Sequence, residues 1–287
     1  MTDALQRPWV LITGCSSGIG RALVGSCRAA GWGVVASART LSALAGLPPG
    51  PDLRLLTLDV TRPDSIAAAT AACAGLRLVA LVNNAGYGQM GPLEYLDADL
   101  LRAQFETNVV GVHAVTRAFL PLIRANAGPG AGRIVLVASV LGRMSVPMAG
   151  AYCASKHAVV ALGETLRLEL ADIPVILVEP GAIRSEFRDT LIKALGDLPE
   201  RVKGTPFEPA LTRYLAHHEA VQEHGLSAQD CARRIAAAMT RSHPPRRLVI
   251  GRDARWANFA KALVPAALWE WGVRRAFGFG GAPRQHP

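Results

Sequence analysis

Short apolar runs alternate with longer helix-like segments between residues 9 and 250. Of all the features of the sequence, this alternation constrains the possible folds most strongly. Seven runs are predicted as strands, at 9–13, 33–38, 53–58, 78–82, 133–138, 175–179 and 248–250. Segments rich in Ala and Leu with helical periodicity lie between them, at 19–30, 64–74, 100–124, 152–171 and 228–239. Near-continuous apolar strands separated by helices indicate a parallel sheet that is covered on both faces.

The length of the chain and the positions of its Pro and Gly residues predict the domain organisation. We expect one Rossmann-type α/β domain over 1–251, a doubly wound parallel sheet of about seven strands with helices on both faces; two domains are the alternative. Residues 182–226 break the alternation with several Pro and Gly residues, and so long a connection is predicted to be a substrate lid. Residues 252–287 form a basic, aromatic-containing C-terminal extension.

The formal net charge of +9 lies at the carboxyl end of the chain. Residues 233–287 hold eleven Arg and Lys against two acidic residues, whereas the preceding residues balance. The extension is interpreted as packing on its own subunit or forming a subunit interface; peripheral contact with a membrane surface is the alternative. A solvated charged face also fits. A nucleic-acid partner is not expected, because no recognition motif accompanies the charge.

A glycine-rich turn joins the first predicted strand to the first predicted helix. In this position Gly14 permits a sharp turn, Gly18 lets the backbone approach a pyrophosphate, and Gly20 lets helix and strand pack closely. The helix amino terminus adds unpaired N–H groups and the positive end of its dipole. The turn therefore predicts a dinucleotide site.

Tyr152 and Lys156 are four residues apart, so on a helix they share one face. An ammonium about 5 Å from a phenol stabilises the phenolate by roughly 3 kcal/mol at an effective dielectric of about 20. We therefore expect the pKa of the phenol to fall by roughly two units from about 10. Such a phenol is a proton donor tuned towards neutrality, although a chance surface pair has the same spacing.

Together these residues resemble the short-chain dehydrogenase/reductase family over about residues 8–250. The resemblance implies a cofactor site formed by Gly14, Ser16, Ser17, Gly18, Ile19, Gly20, Asp59, Val60, Asn84, Ala85, Gly86, Tyr152, Lys156, Pro180, Gly181, Ile183 and Ser185. Ser185 stands where the family usually has Thr, and the hydroxyl that would contact the nicotinamide carboxamide is retained.

The resemblance also assigns a catalytic tetrad: Asn108, Ser139, Tyr152 and Lys156. Tyr152 would exchange the proton, Ser139 would bond the substrate oxygen, and Lys156 would hold the ribose and act on the phenol. Asn108 would anchor a water that links Lys156 to solvent. In isolation, Ser139 also fits a cap on a turn, and Asn108 fits a mid-helix amide bonded to nearby backbone.

Arg39 directs the cofactor prediction towards NADP(H), with NAD as the less favoured cofactor. It follows the second predicted strand, where an acidic residue would hold the ribose hydroxyls of NAD. A guanidinium suits a 2′-phosphate, and no acid competes with it there. The alternative is an exposed loop arginine.

The expected reaction is hydride transfer between the nicotinamide and a carbonyl or secondary alcohol. The resemblance extends to hydroxysteroid and retinol dehydrogenase-like members, which implies a small lipophilic substrate. Apolar side chains are candidates for its pocket: Met144, Val146, Met148, Phe187, Leu191 and Phe207. They fit core packing equally well. A non-catalytic redox sensor that binds a dinucleotide is the alternative function.

Several further expectations concern location and assembly. The amino-terminal segment, which Asp3 interrupts, does not read as a signal peptide, and five scattered cysteines suit a reducing compartment, so we expect a cytoplasmic protein. A homodimer or homotetramer is expected. Cys153 beside Tyr152 lacks a base and fits packing better than nucleophilic catalysis. No metal is expected, since His217, His218 and His224 lack partners at ligand spacing.

Overall fold

The computed structural model describes residues 7–128 and 130–279; Asp3 and the end of the C-terminal extension, with Arg284, lie outside this part of the chain. Its strands are β1 Trp9–Ile12, β2 Gly33–Ala38, β3 Leu53–Thr57, β4 Leu78–Asn83, β5 Arg133–Val137, β6 Val175–Pro180, β7 Ile183–Arg184, β8 Leu226–Ser227 and β9 Arg247–Ile250. Its α-helices are α1 Gly18–Ala29, α2 Pro63–Cys73, α3 Ala98–Phe105, α4 Gly111–Asn126, α5 Gly150–Glu169, α6 Phe187–Leu195, α7 Leu198–Arg201, α8 Glu208–His224, α9 Ala228–Met239, α10 Arg252–Leu263 and α11 Ala266–Ala276.

Seven strands form one parallel sheet in the order β3-β2-β1-β4-β5-β6-β9, and this confirms the predicted doubly wound fold. The order reverses between β1 and β4. In sheets of this kind ligands bind outside the carboxyl ends of the strands at such a reversal. The topology therefore places the candidate site above β1, β4 and β5.

Alternate residues of each strand enter different layers of the core. In β1, Val10 and Ile12 pack with buried side chains of α1 and α9, whereas Trp9 and Leu11 pack with those of α2, α4 and α5. All four are at most 1% exposed. Burial of one such side chain contributes about 1.5–3 kcal/mol, so a two-residue periodicity fixes both helical layers to the sheet.

Local signals explain where several helices begin and end. Gly31 follows α1 with φ of +88°, a conformation that glycine adopts readily after a helix, and Pro63 is the first residue of α2, where its missing N–H costs no hydrogen bond. The predicted helix 100–124 is less regular than expected. A π-helical turn, Glu106–Val110, separates α3 from α4 and inserts an extra residue without breaking the helix, so apolar spacing does not reveal it.

The predicted lid region folds into three helices rather than an irregular loop. Parallel pairing of β7 with β8 closes its base, and α6, α7 and α8 cover the carboxyl end of the sheet. Leu191, Leu198 and Tyr214 of these helices are buried in one apolar cluster with Tyr152 and Met90. The region thus encloses the phenol that the sequence predicts to be catalytic; whether it moves as a lid stays a prediction.

Candidate active site

The glycine turn lies between the end of β1 and the start of α1. Gly14 has φ of +72°, and a Cβ on it would lie 2.8 Å from the Cα of Ala85, so only glycine fits there. Asn84 supports the turn, because its Nδ2 donates to the carbonyls of Thr13 and Gly14 at 2.9 and 3.0 Å. The Thr13 hydroxyl accepts the N–H groups of Asn84 and Ala85 at 3.0 and 2.9 Å. Residues 71 positions apart therefore fix a backbone concavity of the kind that receives a pyrophosphate.

A carboxylate already lies at this helix terminus. The N–H of Gly18, the first residue of α1, donates to Glu186 Oε2 at 3.0 Å, and the Ser17 side chain does not cap the helix. Ser185 also lies against Gly18, since a Cβ on that glycine would be 3.3 Å from Ser185 Cβ. The structure thus places the segment of Ser185, predicted to contact the nicotinamide, against the glycine turn. The Glu186 carboxylate occupies the position at the helix terminus that an anionic ligand would take. Sequence reasoning missed Glu186.

Asp59, predicted to lie on the adenine side of the site, holds its loop in place by hydrogen bonds. Its Oδ1 accepts the Thr61 N–H at 3.0 Å and the Thr61 hydroxyl at 2.7 Å. Burial works against the charged carboxylate, but these bonds and the nearby charge of Arg39 outweigh it, so the pKa of Asp59 lies below its usual range. Arg39 is exposed at the end of β2, and Val60 is buried beneath. The Arg39 guanidinium is therefore exposed to solvent close to the Asp59 carboxylate.

Ser139, Tyr152 and Lys156 come together between β5 and α5. Ser139 follows β5, while Tyr152 and Lys156 lie one turn apart on the buried face of α5. The Tyr152 hydroxyl is hydrogen-bonded to Ser139, and Lys156 Nζ lies 5.7 Å from the centre of the Tyr152 ring. Ser139 Oγ also accepts the Leu141 N–H at 3.1 Å, so it caps a turn and contacts the phenol at once.

The expected fall in the pKa of Tyr152 is wrong for the protein alone. Burial raises the pKa of Tyr152 to about 12, and the hydrogen bond from Ser139 offsets only part of this effect. Burial also lowers the pKa of Lys156 to about 8, and its Nζ donates to the Val137 carbonyl at 2.9 Å. The expected fall assumes a partly solvated phenol, whereas in the structure the phenol is buried and the tilted ring of Phe187 lies 5.8 Å from its ring.

Asn108 lies in the π-helical turn and is buried. Its Nδ2 donates to the Tyr87 carbonyl at 2.9 Å and to Ser155 Oγ at 3.2 Å, and its Oδ1 accepts the Tyr87 N–H at 3.1 Å. The amide therefore satisfies nearby backbone, as the alternative interpretation expects. A Cβ on Gly86 would be 3.0 Å from Asn108 Oδ1 and 3.8 Å from Lys156 Nζ, so Asn108 also adjoins the lysine. Its role in holding a water stays a prediction.

The turn after β6 is held by the C-terminal extension. Gly181 N–H donates to the Ile250 carbonyl at 2.8 Å, and Ala182 N–H donates to Asp253 Oδ2 at 2.7 Å. Gly181 is in contact with the Asp253 carboxylate, which leaves no room for a side chain. Ile183 continues into β7. Pro180, Gly181, Ile183 and Ser185 are thus positioned by an acid that sequence reasoning had assigned only to a charged tail.

A buried carboxylate, Glu179, lies directly before this turn. It is 0% exposed and forms ion pairs with Arg143 at 3.3 Å and Arg247 at 2.6 Å. Burial raises its pKa above the usual range, although the charge of Arg143 opposes this effect. Because Arg143 closes the turn that Ser139 caps, this ion pair connects the end of β6 to the loop that carries Ser139. No motif in the sequence indicated it.

A shallow cavity of about 170 Å³ opens beside the phenol's helix. It is lined by Gly91, Pro92, Leu93, Val146, Pro147, Met148, Gly150, Phe207 and Phe279. Val146, Met148 and Phe207 were predicted as pocket residues and lie on this wall. Met144 and Leu191 are instead buried, and Phe187 covers Tyr152. Phe279, from the C-terminal extension, was not predicted there.

Other chemistries find little support in the part of the chain that the structure describes. All five cysteines are free and buried, and burial raises the pKa of the Cys153 thiol, which disfavours a thiolate nucleophile. No group of three His, Cys, Asp or Glu side chains with metal-binding geometry occurs among the described residues. None of the helices described is long and apolar enough to cross a bilayer.

Comparison with known proteins agrees with this geometry. A family model of short chain dehydrogenases matches residues 8–195, and the chain belongs to the short-chain dehydrogenase/reductase family. It is 39% identical to mouse 17-beta-hydroxysteroid dehydrogenase type 1 over 237 residues, covering 77% of this chain and 66% of that protein. It is 33% identical to rat retinol dehydrogenase 7 over 283 residues, covering 92% and 87%. The protein is thus an oxidoreductase that resembles hydroxysteroid and retinol dehydrogenases.

Solved structures share its fold. A short chain dehydrogenase from Burkholderia cenocepacia in complex with NADP superposes with a TM-score of 0.71 at 25% identity, covering 93% of this chain and 97% of that one. A short-chain dehydrogenase/reductase from Burkholderia phymatum in complex with NAD gives 0.73 at 28% identity, covering 89% and 92%. These neighbours bind either nicotinamide nucleotide, so they support a nicotinamide cofactor without deciding between the two.

Proposed function

We propose that the protein is an NADP(H)-dependent oxidoreductase that reduces the carbonyl group of a lipophilic ketone or aldehyde, or catalyses the reverse reaction. The observation that carries the proposal is the hydrogen bond between Ser139 and the Tyr152 hydroxyl, with Lys156 one helical turn away. The residues fit a dinucleotide, because Gly14 leaves a concavity that a Cβ would fill and Gly18 N–H holds an anionic oxygen. A bound nicotinamide would supply or accept the hydride.

The protein's own groups supply the proton and hold the substrate oxygen. Because the pKa of Tyr152 is about 12, the phenol is protonated at neutral pH and can give its proton to an oxygen that gains negative charge. Ser139 Oγ can donate a hydrogen bond to the same oxygen and hold it beside the phenol. Lys156, with a pKa of about 8, is mostly cationic at pH 7 and stabilises the phenolate that remains.

Arg39 supports NADP(H) over NAD(H). Its exposed guanidinium follows β2, and its charge reaches Asp59 on the neighbouring side of the site. A bidentate guanidinium matches the geometry of a phosphate, and Asp59 is engaged by Thr61 rather than aimed at a ribose. The site therefore favours a nucleotide with a 2′-phosphate.

Apolar walls support a lipophilic substrate. The cavity beside α5 is lined largely by aliphatic and aromatic side chains, and Phe207, the residue before α8, forms part of its wall. The relatives named for hydroxysteroids and retinol agree with such a substrate class. Packing alone would also bury Met144 and Leu191, so the support for an apolar substrate comes from the cavity residues Val146, Met148 and Phe207.

A panel of steroids, retinoids and aliphatic ketones, followed by NADPH absorbance, tests the proposed function. We expect turnover with at least one apolar carbonyl compound and none with polyhydroxy sugars. Turnover of sugars alone would contradict the proposed substrate class. A non-catalytic redox sensor, the second function considered, is not favoured, because the chain belongs to a family of oxidoreductases and keeps the proton-donating group in place.

We also propose a reducing compartment, the cytoplasm, and a homodimer or homotetramer. The five free, buried thiols support the compartment. Leu101 of α3 and Val110 of the π-helical turn are 39% and 47% exposed, and such apolar side chains suit a subunit interface. Sedimentation equilibrium of the purified protein tests the assembly, and a monomer at every concentration would contradict it.

A further inference from the structure

The outer faces of α10 and α11 carry large apolar side chains that nothing in the described chain covers. We name Trp256, Phe259, Leu263, Leu268 and Trp271 the C-terminal apolar face; their exposed fractions are 68%, 58%, 66%, 61% and 62%. The exposed Trp and Phe side chains of the described residues all belong to it. Exposed aromatic side chains in such a group mark an interaction surface.

The orientation of α10 is fixed by its opposite face. Ala254 is fully buried, Asn258 is hydrogen-bonded to Glu179, and Asp253 holds the Ala182 N–H. Trp256, Phe259 and Leu263 are spaced i, i+3 and i+7, so they share the side turned away from these contacts. The helix cannot bury its aromatic side chains by rotating without breaking three contacts with the catalytic domain.

Helix α11 packs on α10, and the residues that follow α11 reach the cavity beside α5. Lys261 Nζ lies 5.5 Å from the ring centre of Trp269, which joins α10 to α11. Leu268 and Trp271 are spaced i, i+3 and remain exposed. Phe279 follows three residues after α11 and lines the cavity together with Phe207. The chain that carries the C-terminal apolar face therefore continues into the wall of this cavity.

The segment that carries the C-terminal apolar face is rich in Arg and Lys. Residues 252–279 contain five Arg and Lys and two acids, and one of those acids, Asp253, is turned inward. Within the part of the chain that the structure describes, no carboxylate pairs with the cations Arg252, Arg255, Lys261, Arg274 and Arg275. The Arg275 guanidinium lies 5.7 Å from the Trp271 ring centre, so charge and aromatic surface are contiguous.

We propose that the C-terminal apolar face docks on the surface of an anionic lipid bilayer without spanning it. Tryptophan prefers the boundary between headgroups and acyl chains, and arginine pairs with lipid phosphates and carboxylates. Two copies of the chain would instead bring the cations of one face against those of the other, so a lipid surface complements the charge better than a second copy. Binding to lipid does not depend on the proposed substrate or cofactor.

Sedimentation with vesicles tests the proposal. The full chain is mixed with vesicles of phosphatidylcholine alone or of phosphatidylcholine with phosphatidylserine, and pelleted protein is measured. We expect pelleting with the anionic vesicles, a blue shift of tryptophan fluorescence, and at least about tenfold weaker binding for the double variant Trp256→Ser, Phe259→Ser. The control variant is Leu168→Ser, because Leu168 is 87% exposed on α5, away from this face. It is expected to bind like the wild type.

Three outcomes would overturn the proposal. The first is equal pelleting of the wild type and the double variant, and the second is no pelleting of the wild type with anionic vesicles. The third is a fall in the mass of the vesicle-free protein in the double variant, because that would assign the face to an interface between copies. Thermal unfolding by circular dichroism checks that both variants fold, and the Arg255→Gln, Arg274→Gln variant is expected to lose the preference for phosphatidylserine.

Discussion

Asp253 Oδ2 accepts the Ala182 N–H at 2.7 Å, so the first turn of α10 holds the turn that follows β6, 71 residues earlier. Gly181 lies against the same carboxylate and donates its own N–H to Ile250 at 2.8 Å. The Pro180-Gly181 turn is therefore positioned from outside the segment that the family model matches, which ends at residue 195. The C-terminal extension is part of the site's framework.

Replacement of Asp253 tests this framework. We expect Asp253→Ala to raise the Kd for NADPH about fivefold, because one hydrogen bond to a carboxylate at the solvent boundary contributes about 1 kcal/mol. Asp253→Asn keeps an acceptor oxygen and is expected to bind almost like the wild type. Isothermal titration calorimetry measures both. Equal Kd values for the Ala and wild-type proteins would show that the turn needs no such support.

Glu186 occupies the helix terminus that a pyrophosphate would use. Its carboxylate accepts the Gly18 N–H at 3.0 Å, so it competes with an anionic ligand for the same donor. Glu186→Gln is expected to lower the Kd for NADPH about fivefold, because the neutral amide competes more weakly. Asp189→Asn removes a charge from the same segment without touching Gly18 and serves as the control. An unchanged or higher Kd in Glu186→Gln alone would contradict the competition.

Tyr152→Phe tests the proton donor. The change removes only the hydroxyl that contacts Ser139, so we expect kcat/KM for carbonyl reduction to fall by about 10²–10⁴. The Kd for NADPH is expected to stay within about twofold, because the glycine turn and Arg39 remain. If Tyr152→Phe retained both turnover and NADPH binding, a group other than Tyr152 would have to supply the proton. Tyr95→Phe, in a tyrosine that packs on Phe207 away from the proton-donating group, is the control.

Arg39→Asp tests the cofactor preference. We expect the ratio of kcat/KM with NADPH to that with NADH to fall at least tenfold, on the order of one charge-assisted phosphate contact. The carboxylate would repel a 2′-phosphate and accept ribose hydroxyls. Arg62→Asp, at another exposed arginine close to Asp59, measures how much of the change is long-range electrostatics. If Arg39→Asp and Arg62→Asp change the ratio of kcat/KM values equally, Arg39 does not bind the 2′-phosphate.

Lys156→Met is expected to stabilise the fold while abolishing activity. Burial lowers the pKa of Lys156 from 10.5 to about 8, so the native state binds fewer protons than the unfolded chain between those values. The charged lysine therefore destabilises the native state at pH 7. After allowance for the lost bond to Val137, the variant should gain about 2 kcal/mol in the free energy of unfolding.

The pH dependence of this gain has a definite sign. The advantage of Lys156→Met over the wild type is present in full below pH 8 and shrinks as the pH rises to about 10.5, where the unfolded lysine also loses its proton. Urea unfolding at several pH values measures the difference, and exposed Lys193→Met is the control. Destabilisation by the variant at pH 7 would show that the hydrogen bond to Val137 outweighs burial.

Local patterns were sufficient to predict much of this fold. Most strand interiors are runs of apolar residues, and two-residue alternation fixes which side chains meet which helical layer. The boundary signals at Gly31 and Pro63 act within one turn of chain. The glycine turn and the pair Tyr152 and Lys156 are also local, because helical spacing alone brings one face together.

Contacts between distant segments could not be read in this way. Glu186 and Gly18 are 168 residues apart, and no periodicity connects them. The π-helical turn at Asn108 leaves the helix continuous, so apolar spacing does not mark it. The pKa of Tyr152 moved opposite to the expected direction, because the side chains that enclose the phenol come from helices assigned only to a lid.

The sequence by itself determined the layered parallel sheet, and it predicted the cofactor turn and a candidate proton donor, since each depends on residues a few positions apart. Tertiary structure alone decided how deeply that phenol is buried, which carboxylate meets the glycine turn, and which acid holds the turn after β6. Burial and long-range electrostatics depend on which segments become neighbours, and that is a property of the folded chain rather than of any short stretch of it.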